Sequence, residues 1–533
     1  DPSGAQGAPS PSRWAPGARA ARPRLAPGAW AGLLAAGLGP ADARGAPAAS
    51  LPEVLARLPA STPLALYASR LDHALTDIGD LGQTGSTPTV LERWLRALTA
   101  PEAEHGLAPE RPVVALPDPG LEVLLLSLPL ERADAFQTWL DAADGAGPTT
   151  VEVSGHTVRI LDLDRRWPVA CTTSGAWAHC QLGASSRGLR PLVERLSGGT
   201  RGRRSWARAA PLRAVWGQLP EAGRWRMLIH PGALADAVDR RLLARRGLRQ
   251  PLSDRAPASW TSALRGSMTA ASGLEAAGLA VTSSRGDARV RFVGRMSRRL
   301  ARTLRRDFPT TAGASSVRRW SQTPAVVRFF LDARPEITAG LLRRMGWPLT
   351  PGELSGPVAV LALGVADHCE RGDPWPALFP HAFGVGLRGG DSALRARAAL
   401  GPSEPSPGGL APPGGLAWRG ELGATPMSAV VLPEMLLAGT GPLGGHAALR
   451  RWRSLHLRDD GPGSPAFLEL ELDLGALAAS LAAHHVDHVH ADPVRWLEGF
   501  RPHLVALASR LQRLRLRSRH EAGDLHVEIR LER

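Results

Sequence analysis

Four histidines and two aspartates lie within nine residues near the end of the sequence, from His484 to Asp492. If the preceding helix continues, His484 and His488 lie one turn apart on one face, the spacing that chelates zinc in metalloproteases. If the segment is extended, His488, His490 and Asp492 form an H-x-H-x-D set. His485 stands where the metalloprotease pattern has its catalytic glutamate. The residues predict either a site for a zinc-like metal, made of His484, His488, His490 and Asp492, or a solvated helix end.

Two of the three cysteines lie nine residues apart in the stretch PVACTTSGAWAHCQL. This stretch predicts two short strands around Gly175 and Ala176, because a two-residue loop with glycine first suits a hairpin turn. That register places Cys171 opposite Cys180, at a separation that a cross-strand disulfide can bridge. The pair predicts either a disulfide, which would fit an oxidising compartment, or two buried thiols.

No motif in the sequence identifies an enzyme. The pattern G-x-G-x-x-G occurs at Gly384–Gly389 and at Gly439–Gly444, but the 58 glycines of this chain make such matches expected by chance. We therefore interpret both as strand ends or turns rather than dinucleotide-binding loops. A phosphate-binding loop of the G-x4-G-K-[ST] type is excluded, since the chain has no lysine. The sequence predicts no catalytic and no cofactor-binding residue, and leaves a zinc-like metal as the one cofactor to consider.

The chain is strongly basic, with a formal net charge of +15 that comes entirely from arginine. A chain with many arginines but no lysine and no asparagine is typical of a GC-rich bacterial genome, so the abundance of arginine alone indicates little about function. The charge nevertheless attracts polyanions. Arginine precedes tryptophan more often than chance predicts, which suits either stacking with phosphate contact or a core edge covered by arginine. The pairs are Arg13-Trp14, Arg93-Trp94, Arg166-Trp167, Arg224-Trp225, Arg319-Trp320, Arg451-Trp452 and Arg495-Trp496.

Residues 1–48 have the composition of a targeting segment. Arginines from Arg13 to Arg24 precede the apolar stretch Leu25–Gly39, and small-residue A-x-A sites follow. This order is typical of a secretory signal peptide, although a disordered leader of the same composition is the alternative. No later apolar run is long enough for a transmembrane helix. We therefore expect an exported protein of the periplasm or cell envelope whose mature chain has no membrane span.

The remainder of the chain predicts an α+β fold with antiparallel sheets, helices packed on one face, and recurring strand–helix units in a duplicated arrangement. Alternating leucines and acids in residues 466–481 predict a strand, and Asp473 stands where a helix N-cap belongs. Residues 150–162 and 278–293 predict hairpins, and residues 297–306 predict a helix.

Composition also divides the chain into segments. We expect a leader at 1–48, an N-terminal half at 49–308, a linker at 309–324, and a C-terminal half at 325–533. Within the C-terminal half, the Pro/Gly-rich residues 401–415 predict a loop.

Three stretches, at residues 51–75, 224–238 and 381–401, resemble the strand–helix segments of an uncharacterised bacterial cell-envelope family, known only as a domain of unknown function. The resemblance implies an envelope location and no activity. The leading hypothesis is a non-enzymatic exported protein that binds or scaffolds an unknown envelope component. A polyanion-binding protein, for nucleic acid or an anionic glycan, is the second hypothesis. A metal-dependent hydrolase using the His484–Asp492 cluster is the third.

Overall fold

A computed structural model describes the chain in segments between residues 51 and 533. The described residues are 51–82, 98, 105–117, 124–143, 148–153, 155–161, 168–182, 192, 205–237, 273–284, 287–309, 316–344, 346–363, 381–389, 391–401, 416–422, 425–440, 448, 450, 466–483, 505, 508–509, 511–521 and 523–533.

The described residues form nineteen strands. They are β1 Leu64–Ala68, β2 Val113–Pro117, β3 Leu124–Pro129, β4 Thr149–Val153, β5 His156–Leu161, β6 Val169–Ser174, β7 Trp177–Leu182, β8 Trp225–Ile229, β9 Leu274–Ser284, β10 Asp287–Met296, β11 Val327–Leu331, β12 Leu354–Ala362, β13 His381–Leu387, β14 Leu416–Leu422, β15 Thr425–Val431, β16 Met435–Thr440, β17 Leu468–Asp473, β18 Arg513–Glu521 and β19 Asp524–Glu532.

Helices alternate with these strands along the chain. They are α1 Glu53–Ala56, α2 Leu71–Gly82, α3 Ala133–Ala143, a 3-10 turn at Trp206–Arg208, α4 Ala210–Gln218, α5 Arg298–Asp307, α6 Ser316–Ser321, α7 Pro335–Arg344, α8 Ser392–Ala399 and α9 Leu474–Ala483. Among the described residues, no helix has the length and apolar character that crossing a membrane requires.

All nineteen strands belong to one antiparallel sheet. Their hydrogen-bonded neighbours give the linear order β4-β5-β6-β7-β3-β2-β1-β8-β9-β10-β19-β18-β17-β11-β12-β13-β16-β15-β14. The two parts of the sheet meet where β10 pairs with β19 over nine residues, from Asp287 opposite Glu532 to Arg295 opposite Asp524. Counted outward from this junction, the strands of the two sides follow the same pattern of connections along the chain. The one difference is that β4 adds a strand at the end of the N-terminal side.

The predicted fold class is wrong in two respects. The strands form a single sheet instead of several, and helices pack against parts of both its faces. Strand β10 shows the reason, because its successive side chains point to opposite faces. Phe292 packs on the hydrophobic cluster that contains Leu304 of α5, whereas Val293 is buried with Val215 of α4.

The predictions of individual hairpins and of one strand-to-helix unit are more accurate than the prediction of the fold class. The hairpins expected at residues 150–162 and 278–293 are confirmed as β4–β5 and β9–β10. The strand-to-helix unit near residue 473 is confirmed as β17 followed by α9, and the Asp473 carboxylate accepts a hydrogen bond from the Ala476 amide at 2.8 Å, as an N-cap does. Residues Ser316–Ser321 of the range proposed as a linker form α6, which buries Val317 and Trp320.

Candidate functional site

The histidine cluster from His484 to Asp492 lies outside the described residues. The structure therefore places none of the four proposed metal ligands. Among the residues that it does describe, no group of three or more histidine, cysteine, aspartate or glutamate side chains could hold a metal ion. The metal site stays a prediction.

Cys171 and Cys180 lie directly opposite each other on β6 and β7, and the structure joins them in a disulfide with Cα atoms 4.1 Å apart. The two-residue turn explains this proximity. Gly175 has a φ of 58°, which a hairpin turn needs at its first central residue. Ser174 and Trp177 flank the turn and form a hydrogen-bonded pair. Because the two kinds of pair alternate along an antiparallel ladder, Cys171 and Cys180, three pairs further from the turn, form a non-hydrogen-bonded pair. In such a pair the two Cα atoms lie closer together.

The first glycine motif begins inside a strand, whereas the sequence interpretation expects a strand end or a turn. Gly384 and Gly386 lie inside β13, where a dinucleotide loop would need a turn. A Cβ atom on Gly384 would come within 2.8 Å of the Trp320 ring, so this glycine allows the indole to pack against the sheet. The glycines of the second motif after Gly439 lie outside the described residues.

The two Arg–Trp pairs that the structure describes do not form a stacking surface. Trp320 is fully buried, and its indole nitrogen donates a hydrogen bond to the Ala448 carbonyl at 3.1 Å. Trp225 packs against the hydrophobic cluster of the N-terminal side. Both tryptophans therefore belong to the hydrophobic core, which is the second of the two roles that the sequence suggests for these pairs. The other five pairs lie outside the described residues.

A serine and a histidine form a buried pair between β3 and β7. Ser127 Oγ lies 2.9 Å from His179 Nδ1, a distance at which a histidine can take a proton from a nucleophile. The exposed fractions of the two residues are 0% and 7%. Because this leaves no route for a substrate to reach the hydroxyl, we interpret the pair as a satisfied polar contact within the sheet.

Twelve charged side chains cover one face of the sheet at its centre, and we call them the central charged face. Register and strand alternation place them together, and they comprise six arginines and six carboxylates: Glu469, Glu471, Asp473, Arg513, Arg515, Arg517, Glu528, Arg530, Glu532, Asp287, Arg289 and Arg291. Opposite charges make contacts between strands, as Glu471 does with Arg515 at 3.2 Å and Arg530 with Asp287 at 2.8 Å, although the register also places Arg289, Arg530 and Arg515 directly opposite one another. The formal charges of these twelve side chains sum to zero, and the neighbouring Arg318 and Arg328 add two positive charges that pair with Glu469 and Glu471.

A cleft of about 240 Å³ lies at one side of this face, beside the end of α6. Its carboxylates are already engaged, since Glu469 pairs with Arg318 at 2.6 Å and Glu471 contacts Arg328, Arg513 and Arg515. An acid or base for catalysis needs a carboxylate that can exchange a proton with substrate. Carboxylates bound by guanidinium groups in this way do not meet that requirement.

His526 lies beside the central charged face, and one of its ring nitrogens has no hydrogen-bond partner among the described residues. His526 of β19 is buried, and its Nδ1 makes no hydrogen bond. Burial, followed by the positive charges of Arg519 and Arg291, lowers the pKa of His526 below its ordinary value. The neutral imidazole is therefore the form that the fold accommodates.

Helix α5, which follows β10, carries a group of arginines whose charge is largely uncompensated among the described residues. Ser297 begins the helix, and its hydroxyl accepts a hydrogen bond from the Leu300 amide at 3.3 Å. Ala301 and Leu304 are buried against the sheet, and Phe308 is buried just after the last turn. The remaining face is almost entirely arginine, with exposed side chains at Arg298, Arg299, Arg302, Arg305 and Arg306.

The spacing of these arginines makes a compact cationic surface. At 100° per residue, all five fall within an arc of about 120°, and a rise of 1.5 Å per residue spreads them over about 12 Å. Asp307 accepts a hydrogen bond from Arg306 at 2.8 Å and raises the pKa of that arginine. By contrast, Arg298, Arg299 and Arg302 make no ion pair among the residues that the structure describes. Two of these lie in the first turn, where the helix dipole already favours anions.

Sequence reasoning found this helix but not its role. Residues 297–306 predict a helix, and the arginines at i, i+4 and i+7 around buried Ala301 and Leu304 are visible in the sequence. What the sequence does not show is which arginines of the chain are neutralised by carboxylates from distant strands.

Comparison with known proteins identifies no relative. No protein family and no curated protein sequence matches the chain. Among solved structures, crystal form I of TP0453 has a TM-score of 0.27 and 11% identity, covering 46% of this chain and 80% of its own. Crystal form III of TP0453 gives a TM-score of 0.26 with 12% identity, covering 46% of this chain and 79% of its own. A likeness at this level carries no functional meaning, and the resemblance to an envelope family stays a prediction.

Proposed function

We propose that the chain is an exported, non-enzymatic envelope protein that binds an anionic glycan through helix α5. The observation that carries the proposal is the group of exposed arginines on one rigid helix face, three of them without a carboxylate partner among the described residues. Guanidinium groups bind carboxylates, sulfates and phosphates with paired hydrogen bonds. Export is supported by the signal-peptide pattern and by the Cys171–Cys180 disulfide.

The exposed side chains of helix α5 favour an anionic polymer that is recognised by its charge alone. Its exposed face carries no aromatic side chain on which a base could stack. The described tryptophans of the Arg–Trp pairs pack against the core, so they add no stacking surface either. A glycan with regularly spaced carboxylates or sulfates needs neither feature, which is why we favour it over nucleic acid.

The test compares the chain with the variant Arg298→Gln/Arg299→Gln/Arg302→Gln. Glutamine keeps the helix propensity of arginine, so the fold should persist and is checked by circular dichroism. The probes are fluorescently labelled polygalacturonate and a sulfated glycan, with duplex DNA as the competing polymer. Binding is measured from low to physiological salt.

We expect the chain to bind both glycans with a steep loss of affinity as salt increases. Removing three arginines should make the slope of log affinity against log salt shallower by about 2 to 3, at about 0.7 to 0.9 per contact. The variant Arg343→Gln/Arg344→Gln/Arg517→Gln, which also removes three exposed arginines, all of them outside α5, is the matched control and should bind like the unmodified chain. Equal loss in both variants, or none in the triple variant, would refute the assignment to α5. Binding of DNA alone would refute the glycan.

A further inference from the structure

The cleft of about 240 Å³ beside the end of α6 is a depression in the central charged face. Its floor is β17, with β11 on one side and β18 on the other, and Ser321 and Gln322 form part of its wall. Arg328 joins the wall to the floor, because it donates a hydrogen bond to the Gln322 carbonyl at 2.9 Å and pairs with Glu471. The groups that line the cleft are therefore held in place by the sheet.

One of the charged side chains in the cleft has no ion-pair partner. Glu469 lies directly opposite Arg517 on the neighbouring strand, but its carboxylate contacts Arg318 of α6 at 2.6 Å instead. Arg517 is exposed and makes no ion pair among the residues that the structure describes. The lining comprises three arginines and two glutamates: Arg328, Arg515, Arg517, Glu469 and Glu471. Because both glutamates are bound by other arginines, the Arg517 guanidinium remains available to a ligand.

Two neighbours of Arg517 show what else a ligand meets there. Glu528 of β19 lies opposite Arg517 on the other side, and it is exposed and without an ion pair in the described part of the chain. An exposed ion pair contributes little even when it forms, so Glu528 competes weakly for the guanidinium. On the wall, the exposed Gln322 side chain makes no hydrogen bond to any described residue. Its amide supplies donors and an acceptor for a second group of the ligand.

We propose that this cleft binds one small organic acid, whose carboxylate or phosphate is held by Arg517 and whose hydroxyl groups are held by Gln322. Guanidinium groups bind both oxyanions with paired hydrogen bonds. The excess of arginine over glutamate in the lining selects an anion over a cation. A volume of about 240 Å³ is below that of a site for a drug-sized molecule, so the ligand has about the size of one sugar ring.

The cleft is separate from the glycan-binding surface proposed for α5. Arg517 belongs to the central charged face, whereas α5 packs with Phe292 on the opposite face of the sheet. A polymer enters a cleft closed by β17 only with a chain end, while a monomer fits inside it. Binding in the cleft is therefore independent of polymer binding by α5, and the two are tested with different ligands.

Isothermal titration calorimetry with galacturonate, inorganic phosphate and galactose tests the cleft. We expect one oxyanion per chain, with the first two probes showing whether carboxylate or phosphate binds more tightly, and no binding of galactose, which lacks the carboxylate. Arg517→Gln should weaken binding by at least about tenfold, because it removes hydrogen bonds from a charged group. Arg289→Gln is the matched control, since Arg289 is an exposed arginine of the same face without an ion pair among the described residues.

A second variant tests the wall of the cleft. Gln322→Glu should also weaken binding, because its carboxylate repels the ligand, and thermal unfolding checks that each variant is folded. Absence of oxyanion binding by the unmodified chain, equal affinity in Arg517→Gln, or equal loss in Arg289→Gln would overturn the proposal. The α5 variant Arg298→Gln/Arg299→Gln/Arg302→Gln should bind galacturonate normally even where it loses the polymer. Loss of galacturonate in that variant would contradict the assignment to the cleft.

Discussion

Reducing the disulfide between Cys171 and Cys180 should lower the free energy of unfolding by a calculable amount. The two cysteines are nine residues apart in sequence. In the chain-entropy description, a cross-link that closes a loop of this length restricts the unfolded chain by about 2.6 kcal/mol at 25 °C. Both sulfur-bearing side chains are fully buried among apolar residues. A buried thiol behaves as a small apolar group, so reduction should add little beyond the lost cross-link.

Urea titrations with and without dithiothreitol measure this difference, and the double variant Cys171→Ala/Cys180→Ala is the control. The variant should be less stable than the oxidised chain and should not respond to the reductant. Alkylation followed by mass spectrometry should count one thiol before reduction and three afterwards, because the chain has three cysteines. Three alkylated thiols in the purified, fully unfolded protein, or a free energy that reduction leaves unchanged, would refute the reasoning.

Two further predictions concern histidines. The pKa of His526 is lowered in the folded chain, so the unfolded chain binds protons first and stability should fall as the pH drops below about 6.5. His526→Gln should flatten this dependence in urea titrations, and an unchanged pH profile would contradict it. If the His484–Asp492 cluster binds metal, protein purified without a tag should contain a stoichiometric transition metal that His484→Ala/His488→Ala/His490→Ala loses. Equal metal content in both would exclude the cluster.

The sequence predicts hairpins well because the information is local. Residues 278–293 combine alternating apolar side chains with a turn, and they form the expected hairpin of β9 and β10. The same holds for the cysteine hairpin, whose turn places Cys171 opposite Cys180. The order of strands is not local information. Alternation assigns a side chain to a face, but it does not identify β19, more than two hundred residues away, as the neighbour of β10.

The error in fold class has the same origin. One apolar face per strand suggests helices on that face, yet β10 packs the partly buried Phe292 against a hydrophobic cluster on one side and buries Val293 on the other. The candidate site is similarly non-local. Arg530 and Arg302 are equally basic in the sequence, but Arg530 contacts Asp287 from a strand far away in the chain. Only the tertiary arrangement separates a neutralised arginine from one available to a ligand.

The junction between β10 and β19 also bears on how the protein can be divided. Composition suggests a cut at residues 309–324, where the peptide chain passes from one half to the other. The hydrogen bonds do not follow this cut, because nine residue pairs between β10 and β19 join the two halves within one sheet. Either half expressed alone would present a long bare strand edge, which promotes aggregation. Expressed together as separate polypeptides, the halves should recognise each other through that edge and behave as complementary fragments.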